Sequence, residues 1–243
     1  YGTIYLNATT SGLTSDCSVG ILHSAPPTLD QTAIANNGTG AATYTISATT
    51  AGTNRLLLLA VTWKNNTAMS TVPTGGPGGW TSVASISQGT GLMTEVFRAF
   101  ASTQLTASTI TITVPGGVKS TAVLASFSGV DTTGTNGSGA VLNAATGTYT
   151  NADPIISITP SAGNIYTQLV GFLGAGDATA ATAGTGFTLE NTATSGGGGG
   201  ATTKATTSFE TADSASFGGA VQYVRFTRDA IDWTVIGVYL KGP

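Results

Sequence analysis

Short runs of Val, Ile, Thr and aromatic residues, cut at close intervals by Gly, Asn, Asp and Pro, dominate this sequence. They constrain it to strands and turns. In Ile110-Thr111-Ile112-Thr113-Val114 the apolar residues share one face and the threonines the other, the pattern of a strand with one face on a core and one in water. Leu56–Val61 is continuously apolar and ends after a strand's length at Trp63-Lys64-Asn65-Asn66. Val235–Leu240 reads the same way, as a central strand. No segment carries the 3.6-residue period of an amphipathic helix. Strands are expected at Thr3–Ala8, Tyr44–Thr49, Arg55–Trp63, Thr81–Ser87, Thr94–Ala101, Ser108–Val114, Thr121–Gly129, Ile155–Thr159, Ile165–Leu173, Phe187–Asn191, Thr202–Phe209, Ala220–Thr227 and Trp233–Lys241.

About a dozen strands with turn signals and negligible helix imply an all-β, antiparallel two-sheet sandwich. A parallel α/β fold would need helices between the strands. A weak internal echo is present. Thr50-Ala51-Gly52-Thr53-Asn54 leads into one strand and Pro160-Ser161-Ala162-Gly163-Asn164 into another, and the halves close on Ala122–Gly129 and Val235–Leu240. As sequence identity the echo is near chance, and it carries no argument for duplication.

Composition removes several function classes. Charged residues make up 8% of 243 residues, with a net charge of −3, while Thr numbers 46 and Ser 21. Eight scattered Lys and Arg cannot form the basic stripe of a nucleic-acid binder. One Cys and one His exclude a disulfide framework and a Cys/His zinc site. Mean hydropathy is positive, at +0.21, yet no apolar run approaches the ~18–20 residues of a spanning helix. A hydroxyl-rich, charge-poor surface suits an extracellular or virion protein.

The order of the pieces resembles a jelly-roll-like β-sandwich module of bacterial extracellular proteins and phage virion structural proteins. The residues that carry it are Gly52–Trp63, Glu95–Phe100, Ala125–Asp131 and Ile231–Lys241. The opening Gly2–Ser11 is similar to N-terminal segments of some phage structural proteins. The resemblance spans about residues 36–243 and implies the fold, with no catalytic residues to carry over. Residues 1–35 are accordingly expected to form an N-terminal arm or strand extension and 36–243 the sandwich domain.

Chemistry is sparse. His23 is the only imidazole, and no G-x-S-x-G elbow accompanies it. Lone Cys17 reads as a small buried residue. Glu95 and Glu210 lie in or beside strands and read as solvent-facing charges that oppose edge pairing, in preference to a glycosidase pair. No cofactor is expected. A structural calcium is the one ion the loops suggest, at Asp131, Asn136 and Ser138 or at Asp229 and Asp232, although neither group has the EF-hand spacing. For a glycan the best platform is Trp80, with Tyr149 second. Trp63 and Trp233 are expected in the core. Low-complexity loops at 75–79, 132–139, 174–186 and 196–200 need something to hold them, and neighbouring subunits are one candidate.

The expected function is a non-enzymatic virion structural protein, a phage capsid decoration protein docking through its loops and through Tyr1–Asp30 as an arm. Its partners would be copies of itself or a capsid protein. The alternatives are an extracellular carbohydrate-binding or adhesion module and a subunit of an extracellular filament.

Overall fold

A computed structural model describes residues 25–89, 91–159, 166–196, 204–213, 220–229 and 231–243. The strand expected at Thr3–Ala8, together with Cys17 and His23, lies outside the described residues, as do most of the pentaglycine and residues 160–165. The protein is all-β, 57% strand and 3% helix, with sixteen strands in four antiparallel sheets among the described residues.

The sandwich occurs twice. The first half runs β1 (Thr28–Asn37), β2 (Thr43–Ala48), β3 (Arg55–Trp63), β4 (Thr74–Gly75), β5 (Thr81–Gln88), β6 (Leu92–Ala101), β7 (Ser108–Thr113) and β8 (Ser120–Ser128). The second runs β9 (Val141–Tyr149), β10 (Ile155–Ile158), β11 (Thr167–Ala175), β12 (Thr182–Ala183), β13 (Phe187–Thr194), β14 (Thr206–Ala212), β15 (Gln222–Thr227) and β16 (Trp233–Lys241). The first half forms sheets β1-β8-β3-β6-β5 and β2-β7-β4. Counting from β9, the second half repeats both orders strand for strand, as β9-β16-β11-β14-β13 and β10-β15-β12. Each is the interleaved order of an eight-stranded jelly roll, with β5 and β13 paired to the larger sheet.

Irregularities repeat as well. β1 has a bulge at Asp30 and β9 has one at Leu142, the matching position in the aligned registers. β5 is bulged at Val83 and β13 at the matching Glu190. The strands that follow and close the two echoing segments are equivalents, since β3 matches β11 and β8 matches β16; Pro160–Asn164 itself lies outside the described residues. The expected boundary at residues 35/36 falls inside β1, which pairs with β8 of its own chain along Thr28–Asn37.

Three cores stack the sheets into four layers, three-, five-, five- and three-stranded. One core fills the first sandwich with Leu57, Leu59, Trp63, Phe97, Ile110 and Ile112. Another fills the second with Ile156, Leu169, Val224, Phe226 and Trp233. The third lies between the two five-stranded sheets and holds Leu56, Leu58, Phe127, Phe172, Phe209 and Ile236. Each central strand is thus buried on both faces, which is why Leu56–Val61 has no polar alternation; all six residues are fully buried. Phe209 stacks on Phe172 at 5.0 Å and meets Phe127 edge-on at 6.2 Å, tying the sheets together.

The halves fill their sandwiches differently. Trp63 faces Ser120 in the first, whereas Ala175 faces Trp233 in the second, so the indole moves to the neighbouring strand. Leu59 and Leu124 correspond to Gly171 and Gly237, over which Val224 packs so closely that a Cβ on either glycine would meet it; Ile156 also crowds Gly237.

Candidate functional site

The loops are held largely from within the chain. Gly75, Gly76, Gly78 and Gly79 take positive φ, which glycine adopts without strain, and the Trp80 indole N–H donates to the Gly75 carbonyl at 3.0 Å. Trp80 is 6% exposed and belongs to the first core. Its ring closes a loop and offers no open face to a sugar. Trp63 and Trp233 are core residues, as expected. Tyr149 ends β9 opposite Trp233.

Asp131 accepts from Lys241 Nζ at 2.6 Å and from the Thr133 amide at 2.7 Å. The lysine contact leads in holding its carboxyl down at about 2. Ser138 Oγ accepts from the Thr135 amide at 3.0 Å. Two of the three oxygen-bearing side chains proposed for calcium in this loop therefore already have partners. In the 174–186 loop, Arg228 Nη2 reaches both oxygens of Asp177 at 2.8 Å, and Thr206 Oγ1 donates to the Asp177 carbonyl.

Glu95 and Glu210 do not face solvent. Glu95 is 9% exposed and Glu210 fully buried. They belong to opposite layers: Glu95 alternates with the interface residues Thr94 and Val96 and points into the first sandwich, whereas Glu210 points into the second. Two sheets roughly 10 Å apart separate them, so they form no catalytic pair. Burial raises both carboxyls, that of Glu210 to about 8; a Ser82 side-chain hydrogen bond partly offsets the rise at Glu95 and backbone hydrogen bonds that at Glu210. The Gly184 amide donates to Glu210 Oε2 at 3.4 Å, while Oε1 has no hydrogen-bond partner among the described residues. The matching residue in the first half is Phe97. Nothing in the local pattern Thr206–Ala212 reveals this burial, because the strand reads as polar.

Two surfaces stand out. On the outer face of β10-β15-β12, Tyr223 is 47% exposed with the Arg225 guanidinium 5.2 Å from its ring centre, and Ile155 lies beside them at 41%. A cleft of about 270 Å³ adjoins Tyr223 and Arg225. No sequence motif singles out Tyr223; its place in the alternation Gln222–Thr227 is the signal it carries. The second surface is the gap between edge strands β1 and β2, a cleft of about 390 Å³ lined by Gln31, Thr32, Ala33, Ser47, Thr49, Leu124 and Ser126. Beside it, Thr43, Thr45, Ser47, Thr109 and Thr113 form an outward hydroxyl face on β2 and β7.

Among the described residues no helix is long and apolar enough to cross a membrane. Comparison with protein-family models, curated proteins and solved structures returns no match for this chain.

Proposed function

We propose that this chain is a non-enzymatic structural protein of a virion surface, a capsid decoration subunit that docks through its loops and N-terminal segment. The observation that supports this most is the treatment of its sheet edges. All four edge strands of the large sheets, β1, β5, β9 and β13, carry a bulge, and no interior pairing does. Bulges stop sheets from growing edge to edge. A four-layered slab with such edges is a rigid unit that packs beside copies of itself without fusing into fibres. Its hydroxyl-rich outer face stays hydrated at low charge. Imaging the source particle by electron microscopy tests the reading: the chain should repeat on a closed shell, and its absence from such a lattice would overturn the proposal.

A second reading is an extracellular glycan-binding or adhesion module. Exposed Tyr223, with Arg225 over its ring and a cleft alongside, favours it more than Trp80 does. Tyr223→Ala would then abolish retention on a glycan array while leaving the melting temperature unchanged; unaltered retention would remove this reading.

A further inference from the structure

Resting on the structural reading above, we propose that β2 is the docking edge for the N-terminal segment of a second copy, with Thr3–Ala8 adding a strand to β2-β7-β4. Among the described edge strands, β2 alone is left open. β4 and β12 are two residues long and β10 is four. The four large-sheet edges are bulged. β2 has six residues, no bulge in its pairing with β7, and neither charge nor proline. An edge of this kind is a template for strand addition.

The edge also borders unfilled space. The 390 Å³ cleft runs between Ser47 and Thr49 on one side and Gln31, Thr32 and Ala33 on the other, with Leu124 among its lining. In the second half the matching gap is bridged: Asn143 of β9, the match of Gln31, donates through Nδ2 to the Thr159 carbonyl just beyond β10 at 2.9 Å. One sandwich is bridged at this position, where its twin has the cleft.

Sequence pattern selects the occupant. In β2 the residues Tyr44, Ile46 and Ala48 turn inward and Thr43, Thr45 and Ser47 outward. Thr3-Ile4-Tyr5-Leu6-Asn7-Ala8 has the same alternation, so Ile4, Leu6 and Ala8 would cover Leu124 and Ala33 while Thr3, Tyr5 and Asn7 extend the hydroxyl face. The described chain begins at Ala25, whose carbonyl lies against Gly242, and β1 starts three residues later. Residues 9–24 span at most about 55 Å, enough to reach an adjacent copy in a packed layer.

Site-directed cross-linking of the full chain tests this. In a Cys17→Ser background, one preparation carries Tyr5→Cys and another Ser47→Cys; they are mixed and treated with a short bismaleimide. Tyr5→Cys mixed with Ser87→Cys, an exposed position on bulged β5, is the control. Dimers cross-linked between Tyr5→Cys and Ser47→Cys copies, severalfold above the control, are expected. Gln31→Lys with Ser47→Lys, which places charges in the cleft at exposed positions, should reduce self-association in light scattering without changing the melting temperature. Yield equal to the control, or cross-linking only within a chain that carries both cysteines, would overturn the proposal. Intermolecular cross-links without a particle lattice would overturn the decoration reading and leave this one standing; a lattice without cross-links would do the reverse.

Discussion

Thr62 and Gly174 occupy the same position in the two halves, and only one of them has room for a side chain. They sit where β3 and β11 face each other, surrounded by Thr94 and Thr234, whose hydroxyls are 2.7 Å apart. The matching pair, Thr207 and Thr121, is also 2.7 Å apart. Thr62 bonds Thr94 at 3.0 Å. A Cβ on Gly174 would collide with Thr94 Oγ1 and come within 2.8 Å of Thr62 Oγ1. The halves are thus related by an approximate twofold axis, and at its centre the symmetry must break.

That relationship is reversible by mutation. Gly174→Thr should destabilise by about 1–3 kcal/mol or more through overpacking. Thr62→Gly alone should cost about 1 kcal/mol from the lost hydrogen bond, plus strand entropy. The double variant Thr62→Gly/Gly174→Thr moves the side chain across the axis and should be more stable than Gly174→Thr alone in urea denaturation. A double variant no better than the single would show that the two sites are independent.

Glu210 should make stability depend on pH. Its carboxyl rises from the ordinary 4.5 to about 8 in the folded protein. Between those values the folded chain holds a proton that the unfolded chain has released. Stability therefore falls as pH rises from about 4.5 to about 8 and then levels, with roughly 3 kcal/mol lost by pH 7. Glu210→Gln should flatten this slope in melts taken from pH 5 to 9; an unchanged slope would assign it to other groups.

Asp177 neutralises Arg228, whose side chain is 2% exposed. Asp177→Ala strands a buried guanidinium and should cost on the order of 3 kcal/mol, whereas adding Arg228→Met should recover most of it. Equal stabilities for the single and double variants would mean that the pair contributes nothing beyond its packing.

Trp80→Ala should cost about 3–5 kcal/mol by emptying part of the first core and freeing the 75–79 loop. A variant as stable as the parent would contradict the anchoring role and return Trp80 to the surface.

Apolar strands buried on both faces are legible to the residue, as β3 and β16 show, whereas β14, equally buried but rich in Thr and Ser, is not. β1 and β9 were not read as strands, because edge strands that are half exposed and bulged carry Asp, Gln, Asn, Ala and Gly in place of an apolar alternation. The duplication was hidden for another reason. Equivalent positions share a place in the registers but not a residue type: Leu59 answers to Gly171, Phe97 to Glu210 and Trp63 to Ala175. Volume was traded between neighbouring strands, so the identities diverged while the fold repeated. The open β1–β2 seam depends on strands far apart in sequence, and no local pattern announces it.

We propose that this slab works by ordered packing on a virion. Electron microscopy of the source particle tests it most directly. Copies at regular positions on a closed shell are expected, with density joining each β2 edge to a neighbour's N-terminal segment. Isolated monomers in the same specimen, with no repeating lattice, would contradict it.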